Sequence, residues 1–144
     1  MLKKILLGLV ALGAIGFIAL QLVPYGRAHT NPPVQAEPKW DSPKTRELAK
    51  RACFDCHSNE TEWPWYSNIA PVSWLVQKDV DEGRETLNFS EWNKPQREAR
   101  TAGRNVQQGK MPLAIYVALH PAANLSADEK QALINGLNAS VSAR

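Results

Sequence analysis

With 144 residues and a mass of 16.0 kDa, the chain has room for one ordinary domain and an appended segment, not for two domains. Its 44% hydrophobic and 22% charged residues exclude wholesale disorder, and its two cysteines exclude a disulfide-dense scaffold. The net charge of +3 falls to +1 without residues 1–24, which hold Lys3 and Lys4 and no acid, so the charge gives no reason to expect nucleic acid as a partner.

Residues 1–4 carry the two lysines, and residues 5–23 follow as 19 positions in which Gln21 is the only polar side chain. A helix of about 20 apolar residues matches the hydrocarbon core of a bilayer. A cleavable export signal has a shorter apolar region, about 7–15 residues, and then a small-x-small site, for which Gly26-Arg27-Ala28 is mediocre. Residues 1–24 therefore read as an uncleaved signal anchor, in the membrane through residues 5–23, with the lysines in the cytoplasm and the rest outside. That orientation describes a single-pass protein of the bacterial inner membrane with its domain in the periplasm. The alternative is a soluble periplasmic protein after signal cleavage.

Five of the ten prolines (Pro24, Pro32, Pro33, Pro38 and Pro43) fall between positions 24 and 43. Residues 25–41 accordingly read as a Pro-rich, semi-extended tether, on which the domain can swing; at about 3.1 Å per residue it reaches on the order of 50 Å. His29 lies in this stretch and is given no site role.

Residues 42–144 form the domain. Ser42-Pro43 supplies an N-cap and a first-turn proline for a helix of about ten residues that runs to Cys53. A second helix is expected after Pro71, with Val72, Leu75, Val76 and Val80 on one face and Gly83 at its end. A third is expected from a cap at Asn93, with Pro95 and Gln96 early, to Gln108, stopped by Gly109. The last opens with the capping box Ser126-Ala-Asp-Glu129 and carries Leu133, Ile134 and Leu137. Strand-like alternation is lacking, so the fold class is all-α with long loops. A domain of this size buries a modest core, which a large apolar prosthetic group would fill out.

Cys53-Phe54-Asp55-Cys56-His57 carries the chemistry. Two thiols three residues apart can bond the two vinyl groups of haem while the adjacent imidazole reaches the iron, and this is the c-type attachment spacing. A dithiol redox pair would need a βαβ context that the pattern lacks, and a zinc site would need a fourth ligand, for which His120 is the only candidate. The sixth position on the iron falls to Met111, the only methionine besides Met1, in the loop Gly109-Lys110-Met111-Pro112. His120 is the alternative ligand, and an open position is the third possibility.

Residues 53–74, residues 83–92, the 109–112 loop and residues 120–126 resemble the haem-binding-domain family of exported c-type cytochromes, and the resemblance extends over nearly all of residues 45–140. It implies one covalent haem c in a fold similar to class I cytochrome c, with the first and last helices of the domain packed together. It also implies Cys53 and Cys56 as attachment residues, His57 as proximal ligand and Met111 in the place of the distal methionine. Leu113 stands where the family pattern has a second proline.

Trp63, Trp65, Tyr66 and Trp74 are expected to wall the haem against water. Arg97, Arg100 and Arg104 would share one face of the third helix, and Arg84 or Arg97 suits a haem propionate. These features describe a non-enzymatic, membrane-anchored cytochrome that passes single electrons between a donor and an acceptor protein in the periplasm or membrane. The alternative is a haem-based sensor whose sixth position binds a gas or peroxide, with His120 beside the ligand. The sequence does not indicate an oligomeric state.

Overall fold

The run of residues 5–23 holds one polar side chain, Gln21, and so presents no polar face. In the computed structural model of the chain, which describes residues 1–142, that run is a 20-residue helix without a single buried residue. It is long and apolar enough to cross a membrane. In chain order the α-helices are α1 (Leu2–Gln21), α2 (Pro43–Ala52), α3 (Phe54–His57), α4 (Val72–Thr86), α5 (Ala102–Gln107), α6 (Ala114–Leu119) and α7 (Ala127–Ser142). Short 3-10 turns lie at Trp65–Asn68, Ala99–Thr101 and Pro121–Ala123. Among the described residues the only β pairing is an isolated parallel bridge between Ala36 and Glu91, so the domain is all-α as expected.

The residues divide into two units, Met1–Thr30 with Trp63–Asp79, and Asn31–Glu62 with Val80 onward. In the first, the side chain of Gln21 closes the end of α1. Its Nε2 donates to Phe17 O (3.1 Å) and Ala70 O (2.9 Å), and its Oε1 accepts from Ala70 N (3.0 Å) and from Arg27 (3.0 Å). His29, at φ 47°, stacks on Trp63 with ring centroids 4.5 Å apart, and its Nε2 lies 3.1 Å from Ser67 O.

The second unit holds the core. Ser42 caps α2 by accepting from Thr45 N (3.2 Å), and Pro43 opens the helix as the sequence predicts. Ser126 and Glu129 form the expected reciprocal capping box on α7, Ser126 N donating to Glu129 (2.9 Å) and Glu129 N to Ser126 Oγ (3.2 Å). Leu48 and Ala49 of α2 and Leu133 and Leu137 of α7 belong to one buried cluster with Phe54, Leu87, Phe89 and Val106. A Cβ on Gly136 would stand 2.0 Å from Thr45 Oγ1, so α2 and α7 cross at contact distance, the pairing of first and last helices that the resemblance implies.

Four expectations are corrected. The third helix does not start at Asn93: Gln96, instead of capping, accepts from Asn88 N (2.7 Å) and donates to Glu91 O (2.8 Å), and helical structure begins only at Ala99. Arg97 therefore lies outside the helix and pairs with Glu85 (2.7 Å), and the expected arginine face does not form. Helix α4 runs three residues beyond Gly83, which is a packing glycine and not a stop. Residues 31–40 are not a free spacer. Gln35 N and Ala36 N donate to Ser90 O, Trp92 N donates to Ala36 O, and Trp40 packs against the core.

Candidate functional site

Helix α2 ends at Cys53, whose N–H still reaches Ala49 O (2.8 Å), and α3 adds a single turn in which Cys53 O accepts from Cys56 N (3.2 Å) and His57 N (2.9 Å). Phe54 roots this turn. It is buried, stacks on Phe89 (5.6 Å between centroids) and lies under the Arg46 guanidinium (5.6 Å). With Phe54 fixed inward, Cys53, Cys56 and His57 stay only partly buried, and the two thiols are not joined to each other.

The His57 ring is held from the backbone. Its Nδ1 lies 3.1 Å from Gly83 O and 3.0 Å from Leu87 O, and His57 O accepts from Phe89 N (2.8 Å). A nitrogen facing two carbonyls carries the proton, which leaves the Nε2 lone pair as the one available to a metal. Burial, opposed by those two hydrogen bonds, holds the imidazole pKa below its ordinary value and so favours the neutral, ligating form.

Beneath the histidine runs a network of buried polar side chains that the sequence reading missed. Asn59 N donates to Ser90 Oγ (2.9 Å), Asn88 Nδ2 to Asn59 Oδ1 (2.9 Å), and Ser90 N to Asn88 Oδ1 (2.9 Å). Each bond satisfies a group that burial would otherwise leave costly, and together they lock residues 57–59 to residues 87–90. Arg84 extends the lock, donating to Ser58 O (2.8 Å), Thr61 Oγ1 (2.9 Å) and Asn31 Oδ1 (2.9 Å). These bonds show Arg84 bracing the turn. The residue types offered a hint, since Asn88-Phe89-Ser90 places two small polar residues around a buried ring, but their partner at position 59 is not visible in sequence.

Asp55, between the two cysteines, accepts from Glu62 N (3.0 Å) and from the Tyr116 hydroxyl (2.7 Å). Burial and the charge of Asp55 push the Tyr116 phenol above its ordinary pKa. Tyr116 lies on α6, a helix the sequence reading did not foresee, and its ring stacks on His120 at 4.1 Å. His120 Nδ1 is 2.9 Å from Tyr116 O. Met111 packs, partly buried, against the same core cluster as Cys53. Cys53, Cys56, His57, Met111 and His120 thus all belong to one unit.

The expected haem-wall residues Trp63, Trp65, Tyr66 and Trp74 all fall in the other unit. Trp65 stands edge-on to Tyr66 (5.8 Å) and is exposed, while Trp74 has a buried indole Nε1 without a hydrogen-bond partner. Their part in a haem wall rests on the sequence pattern.

The alternatives to haem fit less well. Burial, with Cys56 beside it, pushes the Cys53 thiol up to about 12, far from the low-pKa thiolate that a dithiol redox pair uses. Among the described residues no group of three or more His, Cys, Asp or Glu side chains is gathered to hold a metal, which leaves zinc without a ligand set. Two unlinked thiols on one turn, next to an imidazole oriented through Nδ1, suit covalent haem. A family model described as a haem-binding domain matches residues 15–139.

The chain belongs to the haem-binding domain family. No curated protein and no solved structure matches it. In this haem-binding domain the Cys53-x-x-Cys56-His57 spacing is that of covalent haem c attachment, and an N-terminal helix able to cross a membrane precedes it.

Proposed function

We propose that this haem-binding domain is a membrane-anchored monohaem cytochrome c that carries single electrons between a donor and an acceptor protein on the periplasmic side of the bacterial inner membrane. The observation that carries the reading is the His57 ring, fixed through Nδ1 by two main-chain carbonyls with its other nitrogen left to a metal. When bound, haem supplies a one-electron iron couple inside an apolar macrocycle. The chain's share is to hold it. Cys53 and Cys56 would tether its edge, and His57 would ligate through Nε2 in an orientation set by Gly83 O and Leu87 O. Because those acceptors belong to backbone, the ring would be held in one orientation for the iron. Met111, packed against the same core cluster as Cys53, is assigned the distal position. A thioether there raises the potential into the range that electron carriers use. Helix α1, with Lys3 and Lys4 at its cytoplasmic end, confines the carrier to two dimensions.

The absorption spectrum of the ferric protein, matured with haem-attachment machinery, tests the reading. The far-red sulfur-to-iron charge-transfer band is expected in the native protein and is expected to vanish in Met111→Ala. Covalent haem without that band transfers the sixth position to His120 or leaves it open, and the ligand-sensor reading replaces the carrier. Failure of Cys53→Ala/Cys56→Ala to change haem retention would overturn covalent attachment itself.

A further inference from the structure

The unit formed by Met1–Thr30 and Trp63–Asp79 contains more than the anchor helix. Its second segment is fastened to the end of that helix by Gln21, the one polar residue in an otherwise apolar run, whose amide pairs with both the N–H (3.0 Å) and the C=O (2.9 Å) of Ala70. A second fastening follows at once: a Cβ on Gly26 would stand 2.4 Å from Ser73 O, so the chain leaving α1 lies directly against the first turn of α4. A helix of 20 residues is about 30 Å long, the thickness of the hydrocarbon core, which puts Gln21 at its outer boundary. Ala70 is held at the same level.

Around Ala70 the segment exposes what a water-facing surface avoids. Trp65 is 76% exposed, Leu75 48% and Val72 41%, while Ser73, on the opposite side of α4, is fully buried beneath Gly26. Val72 and Leu75 are three residues apart and share a helix face. Tyr25, just past the end of α1, is 49% exposed. Tryptophan and tyrosine concentrate at the level of lipid headgroups, where an amphipathic ring has one wet and one apolar side.

The geometry points to residues 65–75 as an interfacial foot that rests in the headgroup layer of the outer leaflet, with Trp65, Val72 and Leu75 as its lipid contacts. This inference rests on α1 crossing the bilayer. It assigns Trp65 to lipid, not to haem. The occupant is a bilayer because the patch is fastened, through Gln21 and Ala70, to the end of the helix that is long and apolar enough to cross a membrane.

The test uses the full holo chain, one copy per nanodisc of phosphatidylethanolamine and phosphatidylglycerol. A trace of phospholipid carries a photoactivatable diazirine, either in the headgroup region or at the acyl end, and the carbene adducts are mapped by mass spectrometry. Acyl-end adducts on α1 with headgroup adducts on residues 65–75 are the expected result. The Val72→Asp/Leu75→Asp variant is expected to lose several-fold of the headgroup adducts while its visible haem spectrum stays unchanged. Adducts on α1 alone overturn the foot and leave the anchor standing. Absence of acyl-end adducts from α1 overturns the anchor, and the foot with it. A shifted haem spectrum in Trp65→Ser returns that ring to the haem and overturns its assignment to lipid.

Discussion

A Cβ on Gly83 would stand 2.3 Å from the carbonyl oxygen of Cys56, so the backbone of α4 and the attachment turn meet with no side chain between them. The acceptor is backbone on a short, rooted turn and cannot swing away. Gly83→Ala must therefore push α4 outward, carrying with it Gly83 O, one of the two acceptors of His57 Nδ1. Overpacking of this kind costs about 1–3 kcal/mol. A lower denaturation midpoint and a lower ratio of haem to protein absorbance are expected together. A variant that keeps both would show that the two backbones separate freely.

Asn88→Ala removes two bonds from the buried network and strands Asn59 Oδ1 and Ser90 N. Leaving buried polar groups unpaired costs about 1–3 kcal/mol per group. Urea denaturation is expected to register a loss in that range, with the haem spectrum intact if any holoprotein folds.

Tyr116→Phe keeps the ring against His120 and deletes only the hydroxyl that donates to Asp55 (2.7 Å). Hydrogen bonds to charged groups contribute about 1.5–3 kcal/mol, and partial exposure puts this one near the lower end. A drop in thermal midpoint with unchanged haem attachment is the expected outcome. Loss of attachment would instead make Asp55 orientation a condition of maturation.

Glu129 gives the stability a pH signature. The Arg51 guanidinium (2.6 Å) and then the Ser126 N–H hold its carboxyl down at about 2, against an ordinary 4.5. A depressed folded-state pKa favours folding fully above 4.5, and that contribution is lost as pH falls through about 2. Glu129→Gln is therefore expected to melt below the native protein at neutral pH, with the gap closing as pH is lowered toward 2. A gap that persists in acid would assign the effect to packing.

What the sequence made legible was local. Ser42 with Pro43, and Ser126 with Glu129, announce α2 and α7 because capping chemistry acts within three residues, and the cysteine motif is a contiguous string. What it concealed depends on partners far along the chain. Gln96 looks like a helix-start residue, yet its amide serves Asn88 N, so the third helix starts late. Gly83 looks like a helix stop, yet its missing side chain makes room for Cys56, 27 positions earlier. Asp55 and Tyr116 lie 61 residues apart, and nothing local marks either as the other's partner. The Pro-rich stretch reads as spacer by composition, yet Gln35 and Ala36 donate to Ser90, Ala36 O accepts from Trp92, and Trp40 packs on the core, partners that lie far along the chain.

Both acceptors that orient His57 are main-chain oxygens, at Gly83 and Leu87. A carboxylate in that place would draw the imidazole toward imidazolate character and tie the iron's electron density to a titrating group. Neutral amide carbonyls do neither. With no titrating group among the acceptors of its Nδ1, the histidine would keep the same hydrogen-bonded partners as the surrounding compartment is acidified, and its orientation is tied to the course of the backbone through Gly83 and Leu87.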